Sequence, residues 1–224
     1  MGSEGGIFPA IIGSVYLGIL AVIFASSLAL ATSLYIVFYG KNEMIKSFMR
    51  FTISLIAGIP SIILGLFGYS FLVVSLRFNI SLFTGGIVLG VMIFPFIEVR
   101  FEKAFLEVSR ELWEASCAMG VNKVYTILKL IIPVCFKNIM SIVSLAGSFA
   151  MGAAAPILFS GGVFYAPVSD SIFSPVMALP LHLYILIGEG ISLENAYGTA
   201  VVLVLILLVL NTCAILLGLW KGKK

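Results

Sequence analysis

One polar stretch interrupts an otherwise apolar chain and contains most of the side chains that could act in water. Glu107, Arg110, Glu111 and Glu114 fall at three- and four-residue intervals, so opposite charges can pair along a helix face. Gly120 suits a bend between two short helices, because glycine adopts backbone angles that other residues resist. The stretch therefore predicts a helix presented to an aqueous partner or, alternatively, an amphipathic loop lying on the inner membrane surface.

Groups that could catalyse a reaction are few and scattered. Cys117, Cys135 and Cys213 form no CxxC or His/Cys cluster, so neither a disulfide framework nor a metal site is indicated; free cysteines usually behave as small buried hydrophobes. The single histidine, His182, has no Ser or Asp partner at a recognisable spacing, which favours a local hydrogen-bonding role. No GxxxxGK[ST] pattern occurs. We therefore predict that the chain is not an enzyme and hydrolyses no nucleotide alone.

The composition indicates the class of fold that contains these residues. The chain has 224 residues, of which 61% are hydrophobic and 10% charged, and its mean hydropathy is +1.20. Soluble domains have about 25% charged residues. Backbone groups in lipid must bond to one another, and the apolar runs here are long rather than alternating as in barrel strands. The sequence predicts an all-α polytopic membrane protein with one transmembrane domain, residues 1–224.

About five spans are predicted, because roughly 20 apolar residues cross a bilayer. The second span is interrupted by Gly58-Ile59-Pro60, and a kink or break is expected there, since proline cannot donate a backbone hydrogen bond. The predicted spans are residues 7–39, 51–76, 81–97, 134–159 and 196–219, with a polar loop at 98–133 and a Gly/Pro/Ser-rich loop at 160–195.

Charged residues give these spans an orientation. Every Lys and Arg except Arg77 falls in the connector 40–50, the stretch 98–137 or the C-terminus. The positive-inside rule makes that side cytoplasmic, with the N-terminus and the 160–195 loop outside. No ionisable residue lies deep within a predicted span, which argues against an autonomous ion-driven transporter and an intramembrane enzyme. No basic cluster is interleaved with aromatics, so nucleic acid is not a predicted partner.

The order of residues in the polar stretch is more specific. Glu114-Ala115-Ser116 is followed after three residues by Gly120, and after nine more by Leu130-Ile131-Ile132-Pro133. This resembles the EAA loop of bacterial ABC-importer permeases, which reads EAA, three residues, G, nine residues, I-x-L-P. The resemblance implies a type I importer fold and a coupling helix at about Leu106–Met119 that docks on an ATP-binding subunit. Its implied coupling residues are Glu111, Glu114, Ala115, Gly120 and Pro133.

Three further segments resemble the PstA-type phosphate permease family. They are GGIFPAIIGS at residues 5–14, AGIPSIILGLFG at 57–68 and ALPLHLY at 178–184, which resemble the family's GGI-x-PA-x-x-GT, AGVPS-x-x-x-GLFG and SLPLHIY. Because these segments are collinear with the EAA loop, the resemblance covers nearly all of the chain. It implies import of inorganic phosphate across the inner membrane.

The chain departs from that family at one segment. Where the family reads R-A-L-G-E-T-A-P, residues 149–156 read FAMGAAAP, so Phe149 stands at the Arg position and Ala153 at the Glu position. A phosphate dianion favours a bidentate Arg. Therefore the partner permease supplies the charge, the solute is not phosphate-like, or this subunit only supports the architecture. The predicted translocation-pathway residues are Pro60, Ser61, Ser148, Phe149, Gly152, Ala153 and Pro156.

The resemblance also implies an assembly. The chain would pair with a second, PstC-like permease and two ATP-binding subunits, which hold ATP and Mg, so that it needs no cofactor of its own. An extracytoplasmic solute-binding protein would deliver solute, and ATP-driven rigid-body motion would switch access across the lipid bilayer. Two alternatives remain: the same importer for another oxyanion or a neutral compound, and a non-transport scaffold or channel whose inner loop merely resembles the EAA pattern.

Overall fold

The computed structural model describes residues 6–108, 110–163 and 166–219, without the side chains of residues 110, 111, 217 and 219. Within these ranges every named element is helical. The helices are α1 (Phe8–Leu34, continued by a π-helical turn Tyr35–Tyr39), α2 (Glu43–Gly58), α3 (Ser61–Gly68, continued by a π-helical segment Tyr69–Ser75), α4 (Leu82–Leu106), α5 (Arg110–Ala118), α6 (Lys123–Thr126, continued by a π-helical turn Ile127–Ile131), α7 (Ile132–Met151), α8 (Ile157–Ser160), α9 (Leu179–Gly188) and α10 (Leu193–Leu219).

The all-helical membrane fold is confirmed. Four continuous stretches are long and apolar enough to cross a bilayer, at Phe8–Tyr39, Leu82–Leu106, Lys123–Met151 and within α10. A fifth crossing arises if α2 and the stretch Ser61–Ser75 are one span, although their axes are bent by 99° at the Gly58-Ile59-Pro60 break. Pro60 lies at the N-cap of α3, where its missing N–H costs little.

The helices of three predicted spans have boundaries that differ from the predicted ones. The helix predicted at 51–76 begins earlier, at Glu43, and α4 continues to Leu106 rather than ending near residue 97. The helix predicted at 134–159 begins at Lys123 and ends at Met151. Hydropathy marks where lipid ends, whereas a helix ends where its hydrogen-bond ladder ends, so polar turns extend these helices beyond the apolar runs.

Helices α1 and α4 form a parallel pair at the centre of the bundle. Ala21, Ala25 and Ala29 are fully buried on α1. Opposite them, a Cβ on Gly86 would lie 2.8 Å from Leu20 Cβ, and one on Gly90 would lie 3.1 Å from the Ala21 carbonyl oxygen. Lipid tails provide little hydrophobic drive for helix association, so close approach of small residues stabilises such pairs.

The loop predicted at 160–195 is folded against the N-terminal ends of these helices. The Leu82 and Phe83 amides donate to the carbonyls of Ser174 and Ile172, at 2.9 and 2.8 Å. The Thr84 hydroxyl donates to the Ser160 carbonyl at 2.6 Å. The two amide bonds satisfy N–H groups that a helix N-terminus leaves unpaired, so Ser160 and residues 172–174 lie against this end of α4.

Helix α9 is fixed in the same region. Its Leu179 amide donates to Ser14 Oγ of α1 at 2.8 Å. His182 Nδ1 lies 3.3 Å from the Thr199 hydroxyl of α10, consistent with its predicted local role. Burial lowers the pKa of His182 below its usual range, because an apolar environment disfavours the charged ring. Cys135 is buried as predicted, whereas Cys117 and Cys213 are exposed.

Helix α4 also contains a buried carboxylate. Glu98 is 1% exposed, and its Oε1 has no hydrogen-bond partner among the described residues. Glu98 directly follows the predicted span 81–97, in the polar turns by which α4 continues to Leu106, so the absence of ionisable residues deep within a span stays a prediction. One turn further on, Glu102 Oε1 accepts from Nη2 and Nε of Arg50 on α2, at 2.6 and 3.0 Å.

The Arg50–Glu102 ion pair should contribute measurably to stability. The Glu102 side chain is only 13% exposed and that of Arg50 is 49% exposed, so we expect Arg50→Gln to lower the free energy of unfolding by about 1 kcal/mol, the upper range for such pairs. Urea unfolding in detergent, as a double-mutant cycle with Glu102→Gln, measures the coupling. The same cycle on the more exposed pair Glu43–Lys46 is the control. Equal coupling energies for the two pairs would contradict this prediction.

Candidate functional site

The predicted coupling segment is a short helix bounded by two bends. Helix α5 spans Arg110–Ala118, which is shorter than the predicted 106–119, because Leu106 still belongs to α4 and Glu107 is its C-cap. After α5, Gly120 has φ +74°, a region that L-residues with side chains resist. Asn122 then begins α6 by accepting the Val124 amide at 3.0 Å. The predicted bend at Gly120 is thus present.

One face of α5 packs against the bundle. The Trp113 ring lies 4.8 Å from that of Phe38, at the end of the α1 crossing, and Phe38 lies 6.1 Å from Phe105 of α4. The Ser116 hydroxyl is 2.7 Å from that of Thr126 on α6. Aromatic pairs of this kind are stabilising beyond the area that they bury. Helix α5 therefore contacts the end of the α1 crossing and the start of the α6–α7 helix, and it reaches α4 through Phe38.

The other face of α5 is open. Glu114 and Ala115 are exposed, and Met119 is 82% exposed. The side chain of Glu111 lies outside the described residues. Pro133 is exposed at the start of α7. The π-helical turn Ile127–Ile131 separates it from α6. The structure thus places Glu114, Ala115 and Gly120 together on one accessible surface and Pro133 apart from them.

A cavity of about 480 Å³ lies between α4, α7 and α10. Four of the predicted pathway residues line it: Ser148, Phe149, Gly152 and Ala153. The remaining lining residues are Phe96, Leu145, Leu207 and Asn211, none of which the sequence analysis selected. The one available signal was Asn211, a carboxamide within a long aliphatic run.

The cavity adjoins a helix break. Helix α7 ends at Met151, Gly152 is its C-cap, and α8 begins after Pro156, so the predicted continuous span 134–159 is wrong at its end. Non-helical backbone at membrane depth is tolerated where it is covered by protein or lines a cavity. Pro156 is buried, and a Cβ on Gly65 would lie 3.0 Å from its Cα. Pro60 and Ser61, at the α2–α3 bend, do not line the cavity.

Two side chains supply the hydrogen-bonding groups of the cavity lining. The Ser148 Oγ lies 2.8 Å from Asn211 Oδ1 and 3.2 Å from the Ser144 carbonyl oxygen. A hydroxyl has one proton to donate, so these two acceptors share it. The pair joins α7 to the antiparallel α10, and two turns away Ser141 Oγ donates to the Ala214 carbonyl at 2.7 Å.

The aromatic wall of the cavity connects it to a cation. The Phe96 and Phe149 rings are stacked, with centroids 6.0 Å apart and planes inclined by 22°. The guanidinium carbon of Arg100 lies 3.8 Å from the Phe96 centroid, within the range of a cation–π contact. Charged residues are absent from the described lining. Positive charge is thus next to Phe96 rather than at residue 149.

Comparison with known proteins identifies the family. The family model for binding-protein-dependent transport system inner membrane components matches residues 23–220. The phosphate transport system permease protein PstA 1 of Mycobacterium tuberculosis is 30% identical over 212 residues, 94% of this chain and 69% of that protein. A probable PstA protein of Methanocaldococcus jannaschii is 30% identical over 209 residues, 92% and 73% of the two chains.

Solved structures show the same fold. A chain of the inward-facing MetNI methionine ABC transporter superposes with a TM-score of 0.73 at 18% identity, covering 93% of this chain and 92% of that one. An amino acid ABC transporter gives 0.68 at 18% identity, covering 96% and 92%. The family model covers most of the chain, and the fold and the EAA spacing agree with it. The chain therefore belongs to the binding-protein-dependent transport system inner membrane components, as a multi-pass permease subunit of an ABC importer.

Proposed function

We propose that this subunit translocates inorganic phosphate across the cytoplasmic membrane by ATP-driven alternating access. The observation that carries the proposal is the attachment of α5, by one face, to the helices that reach the cavity. Motion imposed on α5 passes through Trp113 and Phe38 to α1 and α4. It passes through Ser116 and Thr126 to the α6–α7 helix. Phosphate is the solute named for the PstA relatives.

The proposed assembly follows from the same surfaces. The open face of α5 would dock on an ATP-binding subunit, and two such subunits would bind ATP and Mg and hydrolyse the nucleotide. A second, PstC-like permease would complete the pathway, and a solute-binding protein would meet the 160–195 loop. The excess of basic residues at 40–50 and 98–137 supports an orientation with α5 and the C-terminus in the cytoplasm and the N-terminus outside.

Charge reversal at Glu114 tests the docking surface. We expect Glu114→Lys to reduce transport-linked ATP hydrolysis by about tenfold or more, since like charges brought together across an interface cost several kcal/mol. Membrane insertion should be unchanged, because Glu114 lies on the exposed face of α5. The measurement is solute-stimulated ATPase activity of the reconstituted assembly. Glu194→Lys in the first turn of α10 is the control. Wild-type coupling in Glu114→Lys would remove α5 from the docking surface.

The solute is tested by uptake. Proteoliposomes containing the permease pair, the ATPase subunits and the binding protein should accumulate radiolabelled phosphate only with ATP. A second candidate, import of a different solute, is favoured by the uncharged lining of the cavity. Sulfate and a neutral amino acid are therefore assayed in parallel. ATP-dependent uptake of either, without uptake of phosphate, would replace phosphate with that solute.

A further inference from the structure

We propose that Arg50 exchanges between two acceptors on α4, Glu102 and the buried Glu98, and that this exchange moves α2 along α4 by one helical turn. Glu98 is thus a second docking position for α2, which is used in a different conformation of the permease. The inference rests on the proposed alternating access and adds a moving element to it, whatever solute is carried.

The first observation is a buried carboxylate without a partner. Glu98 is 1% exposed, and its Oε1 accepts no hydrogen bond in the part of the chain that the structure describes. A buried polar atom that stays unpaired is costly, and a buried charge without a partner is more so. Because Oε1 is not accessible from the surface, a partner for it must come from within the protein, by a movement of the packed helices.

Arg50 of α2 is the cation suited to this role. Its Nε and Nη2 both donate to Oε1 of Glu102, at 3.0 and 2.6 Å, and a guanidinium has more N–H donors than these two bonds use. Glu98 and Glu102 are four residues apart, so they lie on one face of α4, about 6 Å apart along its axis. The charge of Arg50 acts on both carboxylates. A step of one turn therefore takes the guanidinium from one acceptor to the other.

Helix α2 is attached in a way that permits such a step. The structure describes all of its residues, and only Ile53 among them is buried. The backbone is extended on both sides of the helix, at Asn42 and Ile59, and a Cβ on Gly58 would meet nothing within 4 Å. Few packed side chains therefore oppose a shift of α2 as a rigid body, and steps of one turn between two arrangements occur in other allosteric proteins.

The two positions of Arg50 differ in burial. Its side chain is 49% exposed when it is paired with Glu102, and pairing with Glu98 would draw it into the bundle. The cost of removing the guanidinium from water is opposed by the charge-assisted bonds that the buried carboxylate gains. A ligand that binds elsewhere on the permease can therefore shift the balance if it favours one arrangement of α2.

The competing explanation is that Glu98 is an uncharged packing residue of α4. In that case Arg50 stays with Glu102, and Glu98→Gln, which keeps the size of the side chain without its charge, behaves as wild type. Glu43→Gln is the matched control. The charge of Glu43 also acts on Arg50, but its carboxylate pairs with Lys46 at the exposed start of α2.

Pulsed electron paramagnetic resonance on the complete assembly in nanodiscs tests the exchange. Phe48→Cys on α2 and Val209→Cys on α10, both at exposed positions, carry the spin labels in a background without the native cysteines. We expect a second distance to appear when ATP and vanadate are added. Glu98→Gln should keep the nucleotide-free distance and lower ATP-dependent uptake by about tenfold. Glu102→Gln should populate the second distance without nucleotide, because Arg50 then has Glu98 as its remaining acceptor on this face.

The recovery of assembled complex is measured for each variant, and if Glu98→Gln does not assemble, the wild type and Glu102→Gln still decide. A wild-type assembly with ATP-dependent uptake but a single α2 distance would overturn the inference and leave the transport function intact. The wild-type shift in Glu98→Gln, its absence in Glu43→Gln, or a single nucleotide-free distance in Glu102→Gln would also overturn it. Failure of the proposed function has a different result: the distance shifts with nucleotide, but no assayed solute is taken up.

Discussion

Gly120→Val should uncouple solute transport from ATP hydrolysis while the protein still inserts into the membrane. Gly120 has φ +74°, and a Cβ built there meets nothing within 4 Å, so the cost of a side chain comes from the backbone alone. That cost is about 1–3 kcal/mol for a residue held in a sparsely populated region, and valine is less tolerant than most residues. Relief of this backbone strain requires a change in φ at residue 120, which would rotate α5 relative to α6.

Reconstituted vesicles provide the measurement. We expect solute-stimulated ATP hydrolysis by Gly120→Val to fall by about tenfold, because a change of a few kcal/mol in the docked geometry has at least that effect. Gly120→Asn is the matched control, since asparagine adopts left-handed backbone angles more readily, and it should retain most of the coupling. If Gly120→Val and Gly120→Asn couple equally well, the bend between α5 and α6 plays no part in transmission.

Gly13→Val should have the largest effect on folding. A Cβ at Gly13 would overlap the backbone carbonyl oxygen of Met177, and this carbonyl belongs to the segment just before α9. Main chain cannot turn away as a flexible side chain can, so α1 and this segment must separate. The neighbouring Ser14 would then lose its bond to the Leu179 amide. We expect a destabilisation of about 3 kcal/mol, the upper range for overpacking.

Urea unfolding of detergent-solubilised protein, together with its yield in membranes, measures this effect. Gly198→Val is the matched control, because Gly198 is also helical but a Cβ there meets nothing within 4 Å. Its stability should remain within about 1 kcal/mol of wild type, since glycine is itself a poor helix former. Similar stabilities for the Gly13 and Gly198 variants would show that α1 and the 176–178 segment can separate at little cost.

Local properties of the sequence determined much of this protein. Long apolar runs indicated membrane helices because each helix satisfies its own backbone hydrogen bonds. The spacing from Glu114 through Gly120 to Pro133 indicated a short helix followed by a bend, since helix formation and glycine conformation depend mainly on neighbours in the chain. The Gly58-Ile59-Pro60 break was predictable for the same reason. Helix ends were less predictable: α4 continues to Leu106 after its apolar run has ended, and the α6–α7 helix begins at Lys123 before the next apolar run begins.

The cavity depended on tertiary structure. Ser148 and Phe149 were selected by their place in a resembling segment, but Phe96 and Asn211 come from helices about 50 and 60 residues away in sequence. The hydrogen bond between Ser148 and Asn211 forms only after α7 and α10 pack together. The contacts of the Phe96 ring with Phe149 and Arg100 likewise need α4 to pack against α7. The sequence alone therefore determined a membrane permease with a short polar helix, α5, between two of its membrane helices. Which side chains line the cavity was decided by the packing of helices, because that choice depends on the rotation and depth of each one.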